Sequence, residues 1–309
     1  MSISPKATEV GDRLGSPDRS EHLPPRAMLM AVFLSLLWGG LAPTIKISLS
    51  GVPPLGVAWI RFGIGMIVIA LWSSLVERIR LWPTRAEGLH LFALGVLFAL
   101  QIATLNIGTM STSAGHSSTL LSAYPLFVAL LAHWLVPGDR LSPIKVAGMM
   151  AAFAGVALVF AERGGSGGSL RGDAWILLSA VLLAGLVVYT KRLTAWISLY
   201  RVLFGQMIVG VPAFLVGSLL WEDPAAYQFS WQVTLAILYQ GLIVAAFCFT
   251  VSIHLIQRYP PSRVTAFAFS TPLFGVLLSA LLLGEPVTPG LGIGVACVAA
   301  GIYLANRRS

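Results

Sequence analysis

Charge is the scarcest commodity in this chain. Acidic and basic residues together fill 10% of its 309 positions, where a soluble domain carries about 25%. No soluble core could hide the apolar remainder, so a water-soluble globular protein is excluded. Cysteine is nearly absent as well. Cys248 and Cys297 lie inside apolar runs, which leaves no disulfide framework and no CxxC metal site. No Asp or Glu falls at the centre of an apolar run: Glu77, Glu87, Asp139, Glu162, Asp173 and Glu285 all sit near ends. A carboxylate proton relay across a bilayer is therefore not visible. The histidines (His22 in the tail, then His90, His116, His133 and His254) are scattered. No HExxH, GxSxG or P-loop occurs, which argues against an intramembrane enzyme and against ATP-driven pumping by this chain alone. No cofactor and no metal site is expected.

What fills the chain instead is hydrocarbon. Hydrophobic residues make up 57% and the mean hydropathy is +0.84. Ten apolar segments, near 28–50, 54–76, 88–110, 113–136, 143–161, 173–191, 197–220, 232–256, 262–283 and 289–306, each approach the roughly 20 residues that span a bilayer. All are expected to be helices, because a spanning segment must satisfy its own backbone polar groups. Residues 1–27 are polar, charged and Pro-containing, and read as a cytoplasmic disordered tail with no cleavable signal. A Gly/Ser stretch within 162–172 reads as the linker between a first half, 28–161, and a second, 173–306, with a short cytoplasmic end at 307–309.

Lys and Arg alternate between sides. They collect in the tail (Lys6, Arg13, Arg19, Arg26) and in every second loop (Arg78, Arg80, Arg85; Arg140, Lys145; Lys191, Arg192; Arg258, Arg263), and Arg307 and Arg308 close the chain. The loop after the seventh span carries only Glu222 and Asp223. The positive-inside rule then places both termini in the cytoplasm of a cell (inner) membrane protein. It also accounts for the +8 net charge without nucleic-acid binding. Lys46 lies near the outer end of its span and can snorkel; Arg61 stands about two turns into the second span, to pair with a carbonyl or line an aqueous path.

The sequence states one phrase twice. Tyr124-Pro125-Leu126-Phe127 and Thr271-Pro272-Leu273-Phe274 each interrupt an apolar run. Each run ends at a Gly-acid turn, Gly138-Asp139-Arg140 or Gly284-Glu285-Pro286. Ser142-Pro143 or Thr288-Pro289 then opens a small-residue helix in which Gly148 and Gly155 match Gly294 and Gly301. Five spans per half is an odd number, so the second repeat must run through the membrane upside down. Inverted repeats with a broken helix in corresponding places point to a transporter's substrate site.

These motifs, with Leu37-Trp38-Gly39 in the first span, resemble the drug/metabolite transporter superfamily of EamA type, over about 29–305. The resemblance implies an all-α basket of ten transmembrane helices, two inverted five-helix repeats around a central cavity. It also implies export of a small metabolite such as an amino acid, with drug or toxic-compound efflux as the alternative. Its partners would be a small-molecule substrate and membrane lipids, in a monomer or weak homodimer. The chain departs from the pattern at Val136-Pro137, and His116 and Tyr124 are individual features of the fourth span.

The candidate site follows from polar residues in apolar surroundings. A proline inside a helix frees the carbonyl four residues earlier, so Pro125 would free Leu121 and Pro272 would free Ala268, making both prolines candidate hinges. Ser118 and Ser122 share a face with Pro125, as Thr265 and Phe269 do with Pro272. For the hydroxyls, back-bonding to the preceding turn is an equal alternative. Trp38, Gln101, Asn106, Tyr124, Tyr189, Gln240 and His254 complete the candidate cavity lining, and His116 and His254 are the candidates for proton coupling. Small-residue spacings at Gly148/Ala152 and Gly290/Gly294 suit close packing within the monomer first and dimerisation second.

Overall fold

The computed structural model describes residues 23–78, 81–136, 141–161 and 169–284, with isolated positions between 293 and 304. Among the described residues all regular structure is helical. Six stretches are long and apolar enough to cross a membrane: Pro25–Ser48, Pro54–Leu75, Arg85–Ser111, Leu170–Leu193, Leu199–Trp221 and Trp231–Arg258. The protein is an all-α, multi-pass membrane protein. The 138–140 turn, the centre of the Gly/Ser linker, Glu285-Pro286 and most of the tenth span lie outside the described residues.

The first span is split at Gly40 into α1 (Pro25–Gly39) and α2 (Leu41–Ser48). α3 (Pro54–Leu75) and α4 (Arg85–Ser111) follow unbroken. The fourth span is α5 (Ala114–Leu121) and α6 (Tyr124–Leu135), and the fifth is α7 (Pro143–Ala161). The second half holds α8 (Leu170–Leu193), α9 (Leu199–Trp221) and α10 (Trp231–Leu238). A π-helical segment, Tyr239–Cys248, runs from α10 into α11 (Phe249–Arg258). Then come α12 (Pro261–Ala266), a 3₁₀ turn at Phe267–Ser270 and α13 (Thr271–Leu283).

Local chemistry sets these boundaries. Thr84 and Glu87 form a reciprocal capping box at the start of α4. Ser169, Ser198 and Ser230 accept amide hydrogens at the starts of α8, α9 and α10. α8 therefore begins at Leu170, three residues before the expected 173. Gly284 ends α13 at φ 68°, a left-handed conformation that glycine adopts without strain.

The expected position of the prolines needs correcting. Neither lies in a helix interior: Pro125 and Pro272 are second residues of α6 and α13, just after the break. Proline lacks an N–H and has a helical φ, so it is better placed in a first turn than in an interior. Both spans are still interrupted where the sequence placed the interruption. α5 ends in a turn at Ser122–Ala123, and α12 passes through the 3₁₀ turn.

The helix neighbours obey a pseudo-two-fold rule. α4 of the first half packs on α8 and α9 of the second, as the π segment of the second half packs on α1 and α3 of the first. The broken spans cross antiparallel, α5 against α13 and α6 against α12. α3 and α9 are antiparallel too, since Glu222 after α9 accepts hydrogen bonds from Leu55 N (2.7 Å) and Gly56 N (2.9 Å) at the start of α3. Packing is closest where small residues meet: a Cβ on Gly39 would stand 2.6 Å from Phe274 Cβ and 3.0 Å from Gly275 N. The Leu37-Trp38-Gly39 motif thus lets the first span lie against the ninth. Leu29, Leu71, Trp134, Leu219 and Leu281 project from the outer surface, as a lipid-facing shell requires.

Candidate functional site

One cavity of about 160 Å³ occupies the centre of the helical bundle. It is bounded by both halves: α1–α5 and Tyr124 on one side, α8, α9, the π segment, α11, α12 and Thr271 on the other. Its half-exposed lining residues Leu183, Val187 and Ser252 lie toward the end that holds Ala31, Thr190, Ile256 and Val264. In the opposite direction Ile45, Leu105 and Ser117 line it and are buried. Beyond them Val52, Val57, Val233 and Ile237 pack into an apolar cluster.

Its walls are apolar and aromatic. Trp38 stacks obliquely on Phe249 (5.2 Å between centroids), and Phe249 meets Phe62 edge-on at 5.8 Å. The polar groups are few, and some come from helix irregularities. The π segment sets Gln240, fully buried, against Ser48 and Arg61: its Nε2 donates to Ser48 Oγ (2.8 Å) and its Oε1 accepts from Arg61 Nη1 (3.0 Å). Such π segments re-aim side chains and recur at functional sites. Tyr239 at the same segment donates to Leu37 O (2.6 Å), beside the Gly40 break.

Arg61 is the one charged side chain among the described lining residues. It is 2% exposed. Besides Gln240, its Nη2 reaches Asn106 Oδ1 at 3.4 Å, and Asn106 Nδ2 donates to Pro54 O at 2.8 Å. Its Cζ stands 4.6 Å from the centroid of the Phe62 ring.

The cavity gathers Trp38, Gln101, Ser118, Ser122, Tyr124, Gln240 and Thr265 from the sequence-based set, along with Leu121 and Ala268. Gln101 Nε2 also donates to Ser179 Oγ (2.9 Å), which ties α4 to α8. The hydroxyls do bond back to the preceding turn, Ser122 to Ser118 O (2.7 Å) and Thr265 to Pro261 O (2.9 Å), and line the cavity while doing so. Asn106, Tyr189 and His254 are not among the described lining residues. Asn106 stands behind Arg61, and Tyr189 Oη bonds His90 Nδ1 at 2.8 Å. His116 is also off the described lining, with Nδ1 3.5 Å from Asp173 Oδ1 near the start of α8; Thr112 Oγ1 donates to that same carboxylate oxygen (2.8 Å). The side chain of Phe269 lies outside the described residues.

Among the lining residues that sequence reasoning passed over are Ser35, Ser117, Thr190, Gln206 and Ser252, and the aromatic Phe62 and Phe249. Gln206 could have been found by the same rule that selected Gln101 and Gln240, an amide in an apolar span. No group of three His, Cys, Asp or Glu residues able to hold a metal occurs among the described residues.

Comparison with known proteins adds a second line of observation. The model of the EamA-like transporter family matches residues 25–161 and again 170–307. An uncharacterized transporter of Bacillus subtilis, YvbV, is 28% identical over 290 residues, which cover 92% of each chain. A protein of Streptantibioticus cattleyicolor named "Probable terminal-alkyne amino-acid exporter" is 27% identical over 297 residues, 92% of this chain and 94% of that one. A solved crystal structure, 19% identical, superposes with a TM-score of 0.76 over 92% of this chain and 97% of its own, a likeness of fold alone.

Proposed function

Because the chain belongs to the EamA-like transporter family, we propose that it is a secondary transporter that exports a small amphipathic metabolite, an amino acid or related compound, by alternating access. The observation that carries this reading is the central cavity, lined by residues of both halves. A cavity shared by the two halves can be opened to either side in turn, and the two antiparallel broken helices crossing beside it supply parts that exchange shape.

In this reading residues 28–161 and 173–306 are the inverted repeats, the N-terminal tail and C-terminus are cytoplasmic, and the membrane is the cell's inner one. Trp38, Phe62 and Phe249 hold the apolar part of the solute. Ser118, Ser122, Thr265, Gln101 and Gln240 offer hydrogen bonds. Pro125 and Pro272 keep the two crossing spans broken. The resemblance to a named amino-acid exporter over 94% of that protein supports the choice of amino acids among small metabolites.

Counterflow in proteoliposomes tests the proposal. Liposomes loaded with an unlabelled amino acid that the protein carries should transiently accumulate the labelled form above its outside concentration. Equilibration that loading does not accelerate would indicate a channel, and chemical conversion of the solute would indicate an enzyme.

A further inference from the structure

Among the described lining residues are three glutamines, and two of them are engaged by the protein itself. Gln240 uses both amide atoms, on Ser48 and Arg61, and Gln101 uses its Nε2 on Ser179. Gln206 is 1% exposed, and neither its Oε1 nor its Nε2 has a hydrogen-bond partner among the described residues. It is also the residue through which α9 reaches the described lining. Two contacts place it at the end of the cavity near the start of α4. The adjacent Gly205 lies against Leu91, whose Cδ2 a Cβ there would approach to 3.0 Å. His90, next to Leu91, bonds Tyr189, and the next residue after Tyr189 is the lining residue Thr190. Gln206 and Thr190 therefore share one level of the cavity. One turn further along α9, Gly210 lies against Phe98, whose ring meets Phe62 edge-on at 4.7 Å. Phe62 and Phe249 line the cavity. A polar level with an unused amide is thus followed by an aromatic one.

We propose that Gln206 is the head-group contact for an apolar α-amino acid, with Oε1 accepting from the α-ammonium and Nε2 donating to the α-carboxylate. The proposal deepens the transport reading and rests on it. A glutamine amide offers an acceptor and a donor side by side. The zwitterionic head group presents the complementary pair on one carbon. A lone carboxylate would leave Oε1 unmet and a lone ammonium would leave Nε2 unmet, and an unmet buried group keeps its full desolvation cost. Charge argues the same way. Gln206 is neutral and offsets no net charge, and the zwitterion carries none. Arg61 is held by Gln240 and Asn106 toward the other end of the cavity, because α3 runs antiparallel to α9. Its charge disfavours a bare amine, and a monocarboxylate drawn to it leaves Gln206 unmet. The Thr190 hydroxyl stands at the level of the head group, and the side chain of the solute extends toward Phe62 and Phe249.

The test uses the full chain purified in detergent, with binding measured by calorimetry for phenylalanine, phenylpropionate and phenethylamine. Phenylpropionate lacks the ammonium and phenethylamine lacks the carboxylate. Phenylalanine is expected to bind about 10-fold more tightly than either, a ranking that needs no variant. Gln206→Leu keeps the bulk, removes both polar atoms and breaks no described hydrogen bond, so it should unfold at or above the wild-type temperature. In that variant the advantage of phenylalanine should collapse toward one. Gln206→Glu offers acceptors only and should move phenethylamine ahead of phenylpropionate, a reversal that a merely structural glutamine would not produce. Equal binding of the three compounds by the wild type, no binding of any, or a phenylalanine preference that survives Gln206→Leu would overturn the subsite. Counterflow of phenylalanine separates this from the transport reading. Counterflow in Gln206→Leu with wild-type rate and affinity would sink the subsite and leave transport standing. Gln206-dependent phenylalanine binding with no counterflow would do the reverse.

Discussion

Lys46 and Lys191 perform the same task at opposite ends of the molecule. Lys46 Nζ donates to the carbonyls of Thr109 (3.2 Å), Met110 (3.4 Å) and Thr112 (2.7 Å), where α4 ends. Lys191 Nζ donates to those of Ile256 (2.7 Å), Gln257 (2.9 Å) and Tyr259 (3.3 Å), where α11 ends. The two sets share the spacing i, i+1, i+3. Each ammonium satisfies carbonyls at a helix C-terminus and stands at the negative end of its dipole. Each fixes the corner from which a broken span starts.

Lys46→Met and Lys191→Met should therefore each destabilise the protein by about 1–3 kcal/mol. The readout is thermal unfolding in detergent. The two lysines lie far apart and share no partner, so the double substitution should show the sum of the single losses. Wild-type stability in either single variant would mean that the carbonyls find other partners.

The Lys pair also shows where sequence reading stops. Periodicity and turn chemistry placed nearly every described span within a few residues, because the bilayer forces long apolar helices and Pro, Ser and Gly mark their ends. The duplicated Pro-x-Phe phrase located both broken spans. Which side of a helix a residue faces across a bundle is set by tertiary packing, and the sequence does not carry it plainly. Lys191 read as a loop charge and Lys46 as a snorkelling one. Tyr189, chosen as a polar residue in an apolar run, meets His90. Gln206 was passed over, although Gln101 and Gln240 in like settings were not. The π segment that delivers Gln240 to Arg61 has no Pro or Gly–Ser signature that a sequence could reveal.

The topology proposal predicts that a cysteine at Asp223 reacts with an impermeant maleimide in intact cells, while one at Arg192 reacts only after permeabilisation. Glu222 should resist change more than its loop position suggests, because its carboxylate caps α3. Glu222→Ala should cost about 1–2 kcal/mol in stability by leaving the Leu55 and Gly56 amides unmet. Labelling of position 223 only in permeabilised cells would invert the assignment of sides.

Pro125→Ala would give position 125 an N–H able to reach Leu121 O and rejoin α5 to α6; Pro272→Ala would do the same toward Ala268 O. A span stiffened by even about 2 kcal/mol shifts a two-state ratio roughly thirty-fold. In inverted repeats the halves exchange shapes, so the two substitutions should bias the states in opposite directions. Each single variant should transport more slowly, and the double variant should recover part of the balance. Normal rates in both single variants would reduce the prolines to packing features.

The last prediction concerns the contact between α5 and α13. α5 meets α13 where the broken spans cross, and Gly275 lies against Ser118 so tightly that a Cβ on residue 275 would collide with Ser118 Oγ and Cβ. The hydroxyl can rotate away but Ser118 Cβ cannot, and Gly39 packs against the same stretch of α13. Gly275→Ala should therefore push α5 from α13 and disfavour the state in which they touch. Transport should slow, and a cysteine placed at Ser117, near the start of α5, should become more reactive to an impermeant probe from that side. Removing the obstructing atoms in Gly275→Ala/Ser118→Gly should restore both closure and rate more than Ser118→Gly alone changes either. If Gly275→Ala leaves reactivity and rate at wild-type values, the α5–α13 contact is not a barrier on that side.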